Sequence, residues 1–369
     1  MHGARGAVRR ILLPLAAWTL LLACGGDRAS DAERTERLAR ADEDLLGAGA
    51  TFPYPLYARW FNTYAQETGV RINYQSIGSG GGIRQLIAGT VDFGATDVPM
   101  TDAEIALVPS RRVVHMPMVL GAVAVTYNVP GLTRPLRLSP DVLADLFLGV
   151  ITRWNDPRLA ALNPDAPLPE RDVLVVHRSD GSGTSYIFTD YLTSVSPAWA
   201  AGPGRSKDVR WPVGLGGKGN EGVAGQVKQM PGAIGYVEAT YARQNRLPVA
   251  TLRNAAGNFV TPAAFEVAAA ATSSLEAAGE PTDLRLSIVN APGAQAYPIA
   301  SFTWMLVAPE LIGAEKTASL YRFVNWALHS GDELARGLGY EPLPAELVDR
   351  LLLSLDRQLQ LSADSAGAR

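Results

Sequence analysis

The sequence predicts an α/β protein built as two lobes around a cleft, and three observations predict it. From residue 45 onward, short β-type runs alternate with stretches of helical spacing, the pattern of layered α/β architecture with largely parallel sheets. Two runs, 119–127 and 299–307, are long for strands and carry few charges, as expected of paired crossings between lobes. Several glycine-rich segments stand between a strand and a helix start, where the ligands of open α/β sheets gather.

Before this body the chain reads differently. Arg5, Arg9 and Arg10 precede an apolar stretch, 11–22, that ends at Ala23-Cys24-Gly25-Gly26. The stretch is short for a membrane span, and a basic start followed by it marks residues 1–24 as an export signal. Cys24 is the only cysteine, which excludes an internal disulfide. Leu21-Leu22-Ala23-Cys24 resembles the lipobox of bacterial lipoproteins, which implies a lipid on Cys24 and attachment to the outer face of the cell membrane; a plain cleaved signal is the alternative. Residues 25–44 alternate acids and arginines with alanine and read as a tether, spanning about 25 Å as a flexible coil.

The 369 residues, 47% hydrophobic and 19% charged, suit an ordinary globular protein of two α/β domains. A net charge of −3 without a basic run argues against nucleic acid. The four histidines are scattered and show no metal-ligand spacing, so neither metal nor other cofactor is expected. A monomer is expected.

In chain order, the β-type runs are 70–74, 91–95, 113–114, 119–127, 173–176, 233–237 and 299–307. Helical spacing covers 56–67, 83–88, 140–148, 184–192, 221–229, 317–328 and 345–359. If the two long runs cross between lobes, residues 45–118 and 296–369 form one lobe and residues 119–295 the other.

Arg178-Ser179-Asp180-Gly181-Ser182-Gly183-Thr184-Ser185 lies between a β-type run and a helical one. Glycines let the backbone approach a ligand, and the first helical turn offers unpaired N–H groups and the positive end of its dipole. With the hydroxyls of Ser182 and Thr184 and the guanidinium of Arg178, this segment suits a tetrahedral oxyanion; a helix cap explains it alone equally well. Gly47-Ala48-Gly49-Ala50-Thr51-Phe52-Pro53 is a second glycine-rich loop opening a helix, with Thr51 as donor and the prolines in the first turn. Gly78-Ser79-Gly80-Gly81-Gly82 is a third, with Ser79 as donor; Ile83 stands where a dinucleotide fingerprint would need glycine.

The run 91–95 leads to Asp97 before a proline turn. An acid at an anion site is useful when the anion carries a proton, because a carboxylate accepts that proton's hydrogen bond. Phosphate permits this and fully ionised sulfate does not. Sites built on such a bond reject the analogue lacking it by about 10⁴ to 10⁵. A turn acid or a structural ion pair with Arg178 is the plainer alternative for Asp97.

Taken together, these segments resemble the substrate-binding proteins of bacterial ABC phosphate importers, with Gly214-Leu215-Gly216-Gly217-Lys218-Gly219-Asn220 and Pro231-Gly232-Ala233-Ile234-Gly235-Tyr236-Val237-Glu238 adding to the likeness. It runs from about residue 45 to 350. It implies a type II periplasmic-binding-protein fold, two hinged lobes closing over one inorganic phosphate outside the cytoplasmic membrane, and delivery to a membrane permease without catalysis. The implied ligands are Thr51 and Phe52 (main-chain N–H, plus the Thr51 hydroxyl), Ser79, Asp97, Arg178, Ser182, Gly183 (main chain) and Thr184, with Asp180 holding Arg178. His177 and Gly80 depart from the family pattern, His177 where a second basic residue occurs and Gly80 where a second serine is common.

The remaining motifs read as structural: 214–220 as a lobe-closing loop, Trp154-Asn155-Asp156-Pro157 as a helix boundary with a packed tryptophan, and His177 as a polar residue at a strand end. The rival of another class is a secreted phosphoesterase with Ser182 or Ser79 as nucleophile. Neither serine lies in G-x-S-x-G, and no histidine base is close in sequence. A receptor for another protonated oxyanion, such as arsenate, keeps the same fold.

Overall fold

Residues 44–279 and 285–359 are described by a computed structural model. Eleven strands are found among them: β1 (Leu45–Gly49), β2 (Ile72–Ser76), β3 (Phe93–Thr96), β4 (Val114–Tyr127), β5 (Arg137–Leu138), β6 (Leu174–Arg178), β7 (Leu215–Gly217), β8 (Ala233–Glu238), β9 (Thr251–Arg253), β10 (Phe259–Val260) and β11 (Ala300–Val307). Eight of them form one sheet in the order β2-β1-β3-β11-β4-β8-β6-β7, and β10-β9-β5 form a small second sheet.

The long strand β4 organises the molecule. Its sequence, VHMPMVLGAVAVTY, is almost wholly apolar, and all but His115 is buried, as a strand covered on both faces requires. From Val114 to Ala122 it pairs antiparallel with β11, and from Val123 to Tyr127 antiparallel with β8. The two charge-poor runs are therefore neighbours. Pro117 interrupts the pattern without ending the strand: the register shifts between Thr303 and Trp304, opposite Val119 and Pro117. A residue without an N–H cannot serve the ladder, and a bulge absorbs it. The separate runs at 113–114 and 119–127 are thus one strand.

Two corrections concern the sheet. It is mixed rather than largely parallel, because β11 runs antiparallel to both β3 and β4, and β4 to β8. The segment from Gly47 begins with a strand rather than a loop: β1 lies parallel between β2 and β3. After Leu45-Leu46 its residues are glycine and alanine, which carry little β signal, so β1 is defined by its neighbours.

The helices sit where spacing places them, with shifted ends. Tyr54–Thr68 begins at the prolines and packs Phe61 and Tyr64 on Phe323 of Pro309–His329, with ring centroids 5.2 Å apart in both pairs. Ser79–Ile87 starts four residues before Ile83, so three glycines lie inside the helix. They are there for close approach: a Cβ on Gly82 would stand 2.5 Å from the Ala48 carbonyl oxygen. Ala264–Ala278 carries no sequence prediction, although its alanine-rich composition favours helix. Trp154 is fully buried, its indole N–H donating to the Gly232 carbonyl at 2.9 Å.

The signal, Cys24 and all but the last residue of the tether lie outside the described residues. That last residue, Asp44, is tied to Arg71 by a main-chain bond and a side-chain pair. Among the described residues no helix is long and apolar enough to cross a membrane.

Candidate functional site

Strand ends and helix starts converge at one place. Parallel β1 and β3 deliver Thr51 and Asp97 from their carboxyl ends, and β6 ends at Arg178. Ser79 opens the helix Ser79–Ile87, and Ser182 caps the helix Gly183–Val195 by accepting from the Ser185 N–H at 3.0 Å. Thr51, Phe52, Ser79, Asp97, Arg178, Ser182 and Thr184 are all buried.

Contacts join these residues into one constellation. Ser79 Oγ lies 3.3 Å from both Asp97 Oδ2 and the Asp97 N–H. Gly183 is pressed on the same pair, since a Cβ there would stand 2.4 Å from Ser79 Oγ and 2.5 Å from Asp97 Oδ2. Arg178 reaches Thr184 Oγ1 from Nη1 at 3.3 Å. Asn220 Nδ2 donates to Thr51 Oγ1 at 2.8 Å and to Thr184 Oγ1 at 3.3 Å. The segments also meet through main chain, where Gly80 N–H donates to the Gly181 carbonyl at 2.9 Å. A Cβ on Gly80 would stand 3.1 Å from Gly181 Cα, a tight approach between the two segments.

The electrostatics follow from burial. Asp180 holds the Arg178 fork, Nε to Oδ1 at 2.8 Å and Nη2 to Oδ2 at 2.5 Å, and accepts the Gly219 N–H at 3.0 Å. Burial pushes the Asp180 carboxyl up, but Arg178 and that N–H outweigh it and leave it below its ordinary value. Asp97 goes the other way. Burial drives its carboxyl up to about 8 against the opposing pull of Arg178 and Ser79. Its Oδ1 is fully buried and has no hydrogen-bond partner. An unmatched buried acceptor is costly, and its position beside convergent hydroxyl and guanidinium donors fits an anion that brings a proton. A cavity of about 260 Å³ adjoins Asp97, lined in part by Tyr186, Arg205, Ser301 and Trp304.

Tyrosines set the main chain of the Thr51 loop. Tyr241 donates to the Thr51 carbonyl and Tyr340 to the Phe52 carbonyl, each at 2.7 Å. In a trans peptide the N–H points opposite the C=O, so the Tyr241 bond aims the Phe52 N–H away from Tyr241. The Phe52 ring is core, against Gly121. Behind Arg178, Tyr236 OH accepts the Arg178 N–H at 3.1 Å and pairs with Ser185 Oγ at 2.6 Å.

Sequence reasoning missed Asn220, Tyr236, Tyr241, Glu238 and Tyr340. Asn220 stands in the segment read as a closing loop, which in fact contains β7 and the start of the helix Gly219–Gln229. Nothing in Gly219-Asn220 distinguishes a buried bridging amide from a turn residue. His177, next to the constellation in sequence, turns its ring away and stacks on Trp211 with centroids 4.8 Å apart. Burial holds its pKa below the ordinary histidine value. Among the described residues no group of three or more His, Cys, Asp or Glu side chains is placed to hold a metal ion.

Comparison with known proteins agrees with this architecture. The model of the PBP superfamily domain matches residues 33–330. The chain is 43% identical over 319 residues to the phosphate-binding protein PstS of Pasteurella multocida, covering 86% of this chain and 91% of that protein. It is 45% identical over 311 residues to the PstS of Haemophilus influenzae, covering 83% and 91%. In fold it is similar to the phosphate-binding protein of Stenotrophomonas maltophilia, with a TM-score of 0.65 at 21% identity over 84% of this chain and 93% of that one. With the superfamily match spanning most of its length and the identity to curated relatives exceeding two residues in five, the chain belongs to the PstS phosphate-binding proteins of the PBP superfamily.

Proposed function

We propose that this protein binds inorganic phosphate outside the cytoplasmic membrane and delivers it to an ABC import permease, acting as a receptor and not as an enzyme. The observation that carries the reading is Asp97: a fully buried acid whose Oδ1 has no partner, set among hydroxyl donors and one guanidinium. Phosphate meets Thr51 and Phe52 through main-chain N–H and the Thr51 hydroxyl, and it takes further bonds from Ser79, Arg178, Ser182, the Gly183 N–H and Thr184. Asp97 accepts the ligand's proton. Asp180 holds Arg178 and does not touch phosphate. That the relatives are phosphate-binding proteins supports the ligand class.

Residues 45–118 with 296–369 form one lobe and 119–295 the other, closing through the Thr51–Asn220 and Gly80–Gly181 contacts. Cys24 carries a lipid that holds a monomer at the membrane.

Titration calorimetry tests the ligand. Above about pH 8, where Asp97 is an ionised acceptor, phosphate binds tightly and excess sulfate fails to displace it; discrimination of about 10⁴ or more is expected when a buried polar group would be left unmatched. Equal affinity for the two anions would remove Asp97 from its role.

A further inference from the structure

An anion site needs its hydroxyls to give hydrogen bonds, yet a threonine hydroxyl both gives and takes them. Asn220 removes that ambiguity. Its side chain is fully buried between Thr51 and Thr184, with Nδ2 2.8 Å and 3.3 Å from their hydroxyl oxygens. The direction of the amide is fixed by β8, because the Glu238 main-chain N–H donates to Asn220 Oδ1 at 3.0 Å. An N–H cannot bond an NH₂ group, so oxygen faces Glu238 and nitrogen faces the two threonines. A flipped amide would leave buried donors facing one another.

An amide NH₂ only donates. Both threonine oxygens therefore accept from Asn220, and Thr184 Oγ1 accepts from Arg178 Nη1 as well. With their oxygens engaged as acceptors, the two hydroxyl protons turn elsewhere, and the shared neighbourhood of Thr51, Arg178 and Thr184 is the proposed anion position. We infer that Asn220 is a positioning residue: it sets the hydrogen-bond polarity of Thr51 and Thr184 so that both donate to phosphate, and it raises phosphate affinity without touching the ligand. This inference rests on the proposed phosphate site.

Asn220→Asp is the discriminating change, since a carboxylate of nearly the same shape accepts from the hydroxyls, retains a tether to them and reverses their polarity. The added negative charge alone would also weaken an anion, so the effect is measured twice by phosphate calorimetry, in the otherwise native protein and in Thr51→Val/Thr184→Val. We expect Asn220→Asp to weaken phosphate binding on the order of 100-fold in the native background and at most about tenfold where the hydroxyls are gone. Equal factors in the two backgrounds would reduce Asn220 to a charge effect and overturn the inference. If Asn220→Asp does not fold, Asn220→Ala in the same backgrounds carries the test: a loss of about tenfold that vanishes without the hydroxyls supports it, and an undiminished loss overturns it. Native protein that gives no phosphate signal would remove the site reading and this inference together. Native protein that binds phosphate with Thr51→Val/Thr184→Val unchanged would remove the inference alone.

Discussion

Arg178 and Asp180 meet as a two-point fork, Nε on Oδ1 and Nη2 on Oδ2, with the Arg178 side chain 1% exposed and that of Asp180 14%. Two residues apart at the end of β6, they form a unit in which the acid orients the guanidinium and leaves Nη1 toward Thr184. A bidentate pair of this kind fixes geometry as well as charge. Removing one partner of a buried pair strands the other.

Asp180→Ala is therefore expected to destabilise the phosphate-free protein by about 3 kcal/mol. Added phosphate should recover more stability in the variant than saturation alone explains in the native protein, because the anion supplies the missing counter-charge. Thermal melts with and without phosphate check this; a variant as stable as native protein when phosphate-free would show that the pair contributes nothing.

Proton exchange on binding is the second expectation. Asp97, pushed up to about 8 by burial, holds its proton at neutral pH in the phosphate-free protein. A neutral Asp97 with dibasic phosphate and an ionised Asp97 with monobasic phosphate contain the same number of protons, and one proton shared between them satisfies both. At about pH 6 the free partners together hold about one proton too many, so binding releases it; towards about pH 8 the release disappears. Calorimetry in buffers of differing ionisation heat measures the count, and Asp97→Asn should lose only the share that the Asp97 carboxyl contributes, because free phosphate itself titrates between about pH 6 and 8. A constant count from about pH 6 to 8 would contradict the shared proton.

Stability should depend on pH through the same acid and Glu238. Burial pushes Glu238 up to about 8 as well, while the Thr240 N–H and Tyr340 OH pull against it. Both groups ionise in the ordinary carboxylate range when the chain unfolds, so their contribution is complete below that range and is lost as pH rises through it to about 8. The expected slope is on the order of 1 kcal/mol per pH unit for each group. Glu238→Gln combined with Asp97→Asn should flatten the fall in melting temperature between about pH 5 and 8. An unchanged fall would place its origin elsewhere.

Gly183→Ala tests the closeness of the segments. The new Cβ would stand 2.4 Å from Ser79 Oγ and 2.5 Å from Asp97 Oδ2. Relief displaces the Ser79 hydroxyl and the Asp97 carboxyl or separates the segments, an overpacking cost of about 1–3 kcal/mol, and phosphate affinity should fall at least about tenfold. Native affinity in the folded variant would show that the contact is not part of the binding geometry.

Tyr340→Phe removes a hydroxyl that lies 2.7 Å from the Phe52 carbonyl and 3.0 Å from Glu238 Oε2. Two buried groups lose a partner, at an expected cost of about 1–3 kcal/mol. Denaturant unfolding measures it, and phosphate affinity should weaken in parallel because the Thr51–Phe52 loop loses one of its two tyrosine anchors.

The helices that were legible in the sequence are those with strong apolar spacing, such as Tyr54–Thr68 and Ala345–Gln358. Missed elements lack such a signal: β1 has only Leu45-Leu46 before glycine and alanine, β7 is three residues, and Ala264–Ala278 is alanine throughout much of its length. The sequence shows two separate runs, 113–114 and 119–127, and the structure joins them into one strand with a bulge opposite Pro117, because β11 supplies the partner that tolerates it. Glycine segments between strands and helices were legible as ligand loops for a local reason: their backbone freedom and helix-start donors are encoded within a few residues.

By itself the sequence determined the α/β class, the glycine-rich donor segments, and the presence of one acid and one arginine suited to a protonated oxyanion. Only the tertiary structure decided that Asn220 bridges Thr51 and Thr184, that Tyr241 and Tyr340 aim the Thr51 loop, and that His177 turns away to Trp211. Local conformation follows from residues near one another in the chain, whereas these contacts span up to 288 residues. Desolvation acts likewise: Asp97 is an ordinary acid in the sequence, and only the packing of distant segments around it drives its carboxyl up to about 8.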